Sequence, residues 1–253
     1  MAQICREHEA EEAAGRPTWR EFLSGDSRKL LSIGVGIQLL GQLCGMNAFM
    51  YNGPMIFQRL FESEHAGRLF TVVAGIVNIF ATIPAVLLMD RCGRTTLLKW
   101  SAIGMTICSA VLASVGDMCF QGGGHLCGGW AKWTATLAIC GFIFNFAYGW
   151  GGTPWVYCAE MFPLRHRTKG VGATTDANWV GNIIIAFLPP IMFHNWGFNC
   201  FWFFVFTDAL CYFYAARLPE TKDKSLEEIT LMFKAWFHQP AEGNGDEDSG
   251  DEK

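Results

Sequence analysis

Charge is what this chain of 253 residues has little of. Asp, Glu, Lys and Arg make up 17% of it, against roughly 25% in soluble domains, and most of those charges lie outside long apolar runs. A loop of the G-x-x-x-x-G-K-[ST] type is absent, which argues against an ATP-driven pump. No nucleophile, base and orienting group stand together, and His166 is alone among basic residues, so an enzyme reading has nothing to rest on. The start of the chain has no short apolar core behind a basic stretch, so it does not read as a cleaved signal peptide. The net charge of -4 comes largely from the two ends and gives no hint of nucleic-acid binding.

Apolar length is what the chain has in excess, with 51% hydrophobic residues and 14% aromatics. A membrane-spanning helix needs about 20 mostly apolar residues, and candidate runs extend from Leu30 to Tyr51, Leu69 to Met89, Leu97 to Val115, Trp133 to Tyr157, Gly170 to Met192 and Trp196 to Arg217. The pattern predicts an all-α membrane protein with six transmembrane helices over 30–217. With both ends assigned to the cytoplasm, 16 Lys and Arg residues fall on that side and only Arg59, Arg68 and Lys132 on the other. That bias sets the orientation. Residues 1–29 read as a polar cytoplasmic stretch with an amphipathic helix bearing Glu7, Glu9, Glu11 and Glu12. Residues 218–253 form a cytoplasmic tail, disordered by composition after about Gln239.

Most of the ten cysteines lie inside apolar segments, where a thiol behaves as a small hydrophobe. Cys119 and Cys127 differ, because they share the Gly-rich exterior loop from Gly116 to Gly129, in a setting that permits a disulfide. His125 lies between them without a recognisable set of further ligands, so no metal site is expected.

Polar interruptions mark the sites. Gln38, Gln42, Asn47, Asn52 and Asn78 stand in two otherwise apolar spans, and Gln38, Gln42 and Gly45 share one helical face. Such amides either join helices or meet a neutral, hydroxyl-rich solute, since each offers both donor and acceptor. Asn178 and Asn182, one turn apart beside Trp179, form a second polar patch. The run from Trp150 to Arg167 is glycine-rich and aromatic, with Pro154 and Trp155, and then exits into Glu160, Pro163, Arg165 and Arg167. Glycine and proline at membrane depth are tolerated where protein or a watery cavity satisfies the freed backbone groups. Trp155 is read as a solute-facing surface, with an interfacial anchor as the alternative. Asp208 lies near the middle of the last span and Asp176 inside the fifth, where carboxylates are costly and read as proton sites. Asp208 has a second reading as a protonated acid bonded to a neighbouring helix, and Asp176 as a side chain reaching toward Lys169.

The series Gln42-Leu-Cys-Gly-Met-Asn47, Asp90-Arg-Cys-Gly-Arg94, Pro154-Trp155 with Glu160 and Arg167, and Pro219-Glu-Thr-Lys222 resembles, in that order, the sugar porter family of the major facilitator superfamily, most closely in its fungal wording. The likeness covers roughly Pro17 to Phe233. It implies a chain corresponding to the C-terminal six-helix half of a major facilitator fold, with residues 1–29 as the end of the linker between halves. Three explanations stay open: a fragment, a chain that assembles with a separate N-terminal six-helix half, and a regulatory half-protein.

The resemblance further implies a sugar (monosaccharide/hexose) or polyol carried by alternating access, proton symport by likeness to fungal members, a plasma-membrane setting, and no cofactor. Gln38, Gln42, Asn47, Asn78, Trp155, Asn178 and Trp179 are the implied substrate contacts, and Asp90, Arg91, Arg94, Glu160, Arg167 and Glu220 the cytoplasmic gate. One departure stands out: Gly41 replaces the first glutamine of a common Gln-Gln pair, so the expectation is a monosaccharide/hexose or polyol in general rather than glucose in particular. A non-transporting sugar sensor or regulatory half-transporter is the alternative.

Overall fold

A computed structural model describes residues 18–120 and 129–238. The predicted amphipathic helix before Pro17, Cys127, His125 and the tail after His238 lie outside the described residues. The described segments are helical: α1 (Trp19–Phe22), α2 (Gly25–Leu43), α3 (Met46–Phe61), α4 (Glu64–Cys92), α5 (Arg94–Phe120), α6 (Gly129–Tyr148), α7 (Thr153–Met161), α8 (Leu164–Trp196), a 3-10 turn (Gly197–Cys200), α9 (Phe201–Arg217) and α10 (Leu226–His238).

Among the described residues, four helices are long and apolar enough to cross a membrane: Gly25–Gln58, Glu64–Cys92, Arg94–Cys119 and Leu164–Trp196. They coincide with the first, second, third and fifth predicted spans. The other two predictions fall on composite elements. The run from Trp133 to Tyr157 divides between α6 and the short α7, and α6 carries Lys132 and Asn145. The run from Trp196 to Arg217 divides between the 3-10 turn and the 17 residues of α9.

The breaks have local causes. Gly45 ends α2 at φ 94, a left-handed conformation that costs a side-chain-bearing residue energy, and a Cβ there would run into the Phe204 ring. The second break, from Gly149 to Gly152, is tied to α5: Ser101 donates to the Asn145 carbonyl at 2.7 Å and the Trp150 indole to the Leu98 carbonyl at 3.0 Å. Pro154 then sits in the first turn of α7, where its missing N–H costs nothing. Trp150, which opens the glycine-rich run, is therefore a buried anchor.

Helix α9 packs most extensively on α5, α6 on α5, α8 on α2, and α4 on both α3 and α6. An aromatic cluster holds the centre: Phe49 lies against Phe142, Phe201 and Phe204, and Phe201 against Phe193. Outside that core the chain exposes large apolar side chains in rows, among them Leu69, Val72, Ile76, Ile79, Phe80 and Ile83 on α4. Water would penalise so much bare apolar surface; a bilayer does not, and the chain is a multi-pass integral membrane protein.

Candidate functional site

Four amides form one continuous chain of hydrogen bonds. The Gln38 amide nitrogen donates to the Cys158 sulfur at 3.9 Å, and Asn178 donates to the Gln38 carbonyl oxygen at 2.8 Å. Gln42 donates to Asn178 at 3.0 Å, and Asn47 donates to Gln42 at 2.6 Å. The relay thus runs from α7 through α2 and α8 to the first turn of α3, crossing the Gly45 break between Gln42 and Asn47. Helical spacing places Gln38 and Gln42 on one face of α2. Gly181 lets α8 come close: a Cβ there would lie 3.0 Å from the Gln42 side chain.

The chain has direction, and its ends differ. Gln38 is buried, with 1% exposure, so its amide is a foundation for the relay rather than its open face. Asn47 is half-buried and its side-chain oxygen accepts nothing among the described residues. That oxygen is where the wall has an acceptor to offer. Tyr51 and Asn182 extend it, with the Tyr51 hydroxyl donating to Asn182 at 3.4 Å.

The other expected contacts are scattered around this wall. Trp155 is 40% exposed on α7 and Trp179 62% exposed on α8, next to Asn178. Asn78 is half-buried on α4 and does not join the relay. Asn52 turns inward and donates to the Ala48 carbonyl at 3.0 Å, a bond within its own helix.

The charged residues gather at the opposite ends of the helices. Arg94 grips Glu160 through Nε at 3.2 Å and Nη2 at 2.9 Å, and the Thr221 hydroxyl donates to the other Glu160 oxygen at 2.7 Å. Glu220, also expected in the gate, takes its hydrogen bonds from backbone amides and a threonine hydroxyl. Its carboxylate accepts the Arg94 amide at 2.8 Å, the Thr95 amide at 3.0 Å and the Thr95 hydroxyl at 2.6 Å. It also accepts the Thr221 and Lys222 amides at 3.1 and 3.2 Å. Glu220 is therefore an N-cap supplied to α5 from a distant loop, facing the positive end of the helix dipole. Burial disfavours its charge, yet the bonds from Thr95, Arg94 and Lys222 outweigh that and hold its carboxyl below the ordinary glutamate range. Tyr157 fixes the same loop by donating to the Pro219 carbonyl at 2.9 Å.

Three expected gate residues stand apart from that cluster. Arg167 does not meet Glu160: its Nη2 donates to the Phe162 carbonyl at 3.4 Å, and its buried Nε has no partner. The turn at Phe162 and Pro163 separates α7 from α8, so that Glu160 accepts from Arg94 and Thr221 while Arg167 donates to the Phe162 carbonyl. Asp90, with its side chain 84% exposed, reaches Arg94 only at 3.9 Å. Arg91 enters through its backbone, whose carbonyl accepts from Lys222 at 2.8 Å.

The two membrane carboxylates separate as well. Asp208 is fully buried and accepts from Ser109 at 2.7 Å, while Asp176 is exposed on α8. Lys169, the neighbour expected for Asp176, places its ammonium 4.8 Å from the Trp19 ring centre. Cys119 is disulfide-bonded. Sequence reasoning missed Thr95, Thr221, Ser109 and Cys158, since threonine, serine and cysteine in apolar helices carry no signal of their own. Thr95 and Thr221 do adjoin the charged motifs, and that adjacency is the clue available.

The chain matches the family model described as "Sugar (and other) transporter" over residues 1–233. It is 36% identical over 242 residues to the hexose transporter HXT9 of Saccharomyces cerevisiae, covering 89% of this chain and 41% of that one. It is 31% identical over 232 residues to the sugar transport protein MST3 of Oryza sativa subsp. japonica, covering 90% and 45%. Among solved structures it resembles the proton:xylose symporter XylE bound to 6-bromo-6-deoxy-D-glucose. That match has a TM-score of 0.76 at 25% identity, covering 92% of this chain and 48% of that one. The chain spans about half the length, or less, of the curated relatives it matches.

Proposed function

The chain belongs to the sugar transporter family of the major facilitator superfamily, and from that premise we propose that it forms the second, C-terminal six-helix half of a sugar porter. In this reading it carries a neutral monosaccharide or polyol between itself and an N-terminal six-helix half, by alternating access. Residues 1–29 are the end of the linker, 30–217 the six-helix domain and 218–253 the cytoplasmic tail. Both termini face the cytoplasm of a plasma-membrane protein.

The observation that carries this reading is the amide relay from Gln38 through Asn178 and Gln42 to Asn47. A sugar presents many hydroxyls and no charge, so a wall of uncharged donors and acceptors suits it. The relay pre-orients Asn47 and Gln42, which lowers the cost of ordering them when a solute arrives. Trp179 and Trp155 supply exposed ring faces beside it, and Asn78 adds a further amide from α4. Gly41 stands where a further amide is common in the family, and a Cβ there would lie 3.6 Å from the buried Trp150 ring.

Alternating access requires the two halves to rock about a site near the bilayer midplane. The Arg94–Glu160–Thr221 cluster and the Glu220 cap are the proposed cytoplasmic latch, with Asp90, Arg91 and Arg167 at its rim. Such charge-assisted bonds are strong and directional, so a contact that competes for Arg94 or Glu160 releases α5, α7 and the α9–α10 loop together. Proton symport is the proposed energisation, supported by the likeness to a proton:xylose symporter. Asp176, exposed on α8, is the residue of this half on which a proton-coupled route is proposed.

Uptake of radiolabelled hexoses and polyols in transporter-null cells tests the proposal, with the chain expressed alone and together with the first half of a related porter. Uptake that needs the added half and falls in Gln42→Ala and Asn47→Ala supports it. Surface expression without uptake in either arrangement overturns transport and turns the reading to a sugar sensor or regulatory subunit.

A further inference from the structure

One stripe of α9 cradles the break between α2 and α3. Phe204, Thr207, Asp208 and Cys211 follow the i, i+3, i+4, i+7 spacing of a single helical face. Phe204 fills the space a side chain on Gly45 would need. The Thr207 hydroxyl donates to the Leu43 carbonyl at 3.0 Å, and the Cys211 thiol to the Leu40 carbonyl at 3.6 Å. These carbonyls belong to the last turn of α2: that of Leu40 also accepts the Cys44 amide at 3.0 Å, while that of Leu43 is one of the C-terminal groups a helix leaves open. Asp208 sits between its two neighbours on that stripe, close enough to interact electrostatically with the Cys44 thiol at the break itself.

The carboxyl group is asymmetric in its surroundings. Ser109 of α5 donates to Oδ2 at 2.7 Å, whereas Oδ1 is buried with no hydrogen-bond partner. The titratable groups facing it are the thiols of Cys44, of Cys108 on α5 and of Cys211 on its own helix, and no ion pair to it occurs among the described residues. An ionised carboxylate wants donors at both oxygens. It would also lie beside the negative end of the α2 dipole, where an anion is disfavoured. A neutral acid replaces the unmet acceptor with an O–H donor, for which the surrounding sulfur atoms are weak acceptors.

We propose that Asp208 is a permanently protonated positioning residue that holds the α2–α3 break, and through it sets Gln42 and Asn47 relative to each other for sugar binding. The hydrogen bond between those two amides spans the break that the α9 stripe supports. Asp208 is thus a strut behind the wall, and the proton it carries stays in place through the transport cycle. This inference rests on the proposed role of the amide wall, and its test separates the two.

Infrared difference spectroscopy of the purified full chain, Asp208→Asn against wild type between pH 6 and 9, is the first measurement (the range being about one pH unit or more either side of neutrality). Loss of a carboxylic-acid carbonyl band across that range supports the neutral acid. Loss of carboxylate bands instead overturns it, whatever the wall does. Sugar affinity in the two-half assembly is the second measurement. Asp208→Asn keeps affinity and its pH dependence, because the amide retains a donor and the shape. Asp208→Leu and the milder Ser109→Ala raise the dissociation constant about tenfold, the scale of one disrupted buried hydrogen bond, at unchanged maximal uptake. If Gln42→Ala weakens binding while Asp208→Leu and Ser109→Ala leave it intact, the strut is overturned and the wall stands. If Gln42→Ala has no effect on binding, the wall itself fails, and the infrared result alone then decides the protonation state. An Asp208→Asn protein as weak as Asp208→Leu shows that the charge is needed and overturns the proposal.

Discussion

The amide wall and the proposed cytoplasmic latch are both hydrogen-bond networks tying several helices together, and they are finished differently. The wall is uncharged and open-ended: each amide passes a donor to the next, and the Asn47 oxygen is left over. The latch is charged and closed. Both Glu160 oxygens and both Glu220 oxygens accept hydrogen bonds, and Arg94 contributes its backbone as well as its side chain. A network with a spare acceptor can take up a guest at small cost, because nothing must first be broken. A network whose members are all engaged resists change until a competing partner replaces one of them. The first arrangement suits binding and release of a neutral solute; the second suits a two-state contact.

The comparison breaks most sharply at Gly45. Gly45→Ala forces a Cβ into a left-handed position filled by Phe204, at an expected cost of about 3 kcal/mol. Thermal unfolding in detergent should show a large drop, together with lost sugar binding, because the break that relates Gln42 to Asn47 cannot keep its shape. An unchanged melting temperature would mean that the break is not stapled by α9.

A smaller effect is expected from Arg94→Ala, which leaves Glu160 half-buried without its cation; the side chains of the pair are 16% and 21% exposed. The cost is about 2 kcal/mol, read as a lower melting temperature with sugar affinity in the open site preserved. Should affinity fall as much as stability, the two networks are not separate.

Gln42→Ala tests the wall from the other side. It strands the Asn178 oxygen and the Asn47 donor, for about 1–2 kcal/mol, read as a modestly lower unfolding temperature, and isothermal titration with sugar should show weakening of the order of tenfold as well.

The latch should also show in the pH dependence. Because the Glu220 carboxyl is held below its ordinary range, its contribution is complete above the usual glutamate pKa and disappears as pH falls through the lowered value. Acid unfolding of Glu220→Gln should therefore begin from lower stability and show a shallower slope below the ordinary glutamate range, while sugar binding near neutrality is unaffected. The smallest effect belongs to Asp176→Asn: an exposed side chain on α8 should move stability by no more than about 0.5 kcal/mol. Solute-dependent proton uptake by the assembled porter is the separate readout, and its survival in that variant excludes Asp176 from coupling.

Much of this was readable in advance, and the reasons are local. Apolar runs of bilayer length report their own burial, so the long helices coincide with predicted spans. The glycines and proline from Gly151 to Pro154 announced a break, and Gln38 and Gln42 were visibly on one face. The break at Gly45 was missed inside the run from Leu30 to Tyr51, because one glycine in an apolar stretch has no signature until Phe204 is packed on it. The family resemblance grouped Arg167 with Glu160 in one gate, and the turn at Phe162 and Pro163 separates them. Glu220 was placed in the gate only as the resemblance implies, whereas a helix N-terminus offers backbone donors that no sequence motif for the carboxylate reveals.

The sequence by itself determined the solvent of this protein and the inventory of its chemistry: apolar segments too long for anything but a bilayer, amides inside them, charges at their ends. Partition between water and hydrocarbon acts residue by residue, so composition along the chain is enough to decide it. Only the tertiary structure decided which amide meets which, that Asn178 bridges Gln38 and Gln42, and that Glu220 caps α5. Hydrogen bonds act over a few ångströms and depend on direction, and residues more than a hundred positions apart acquire such a geometry only when their helices pack.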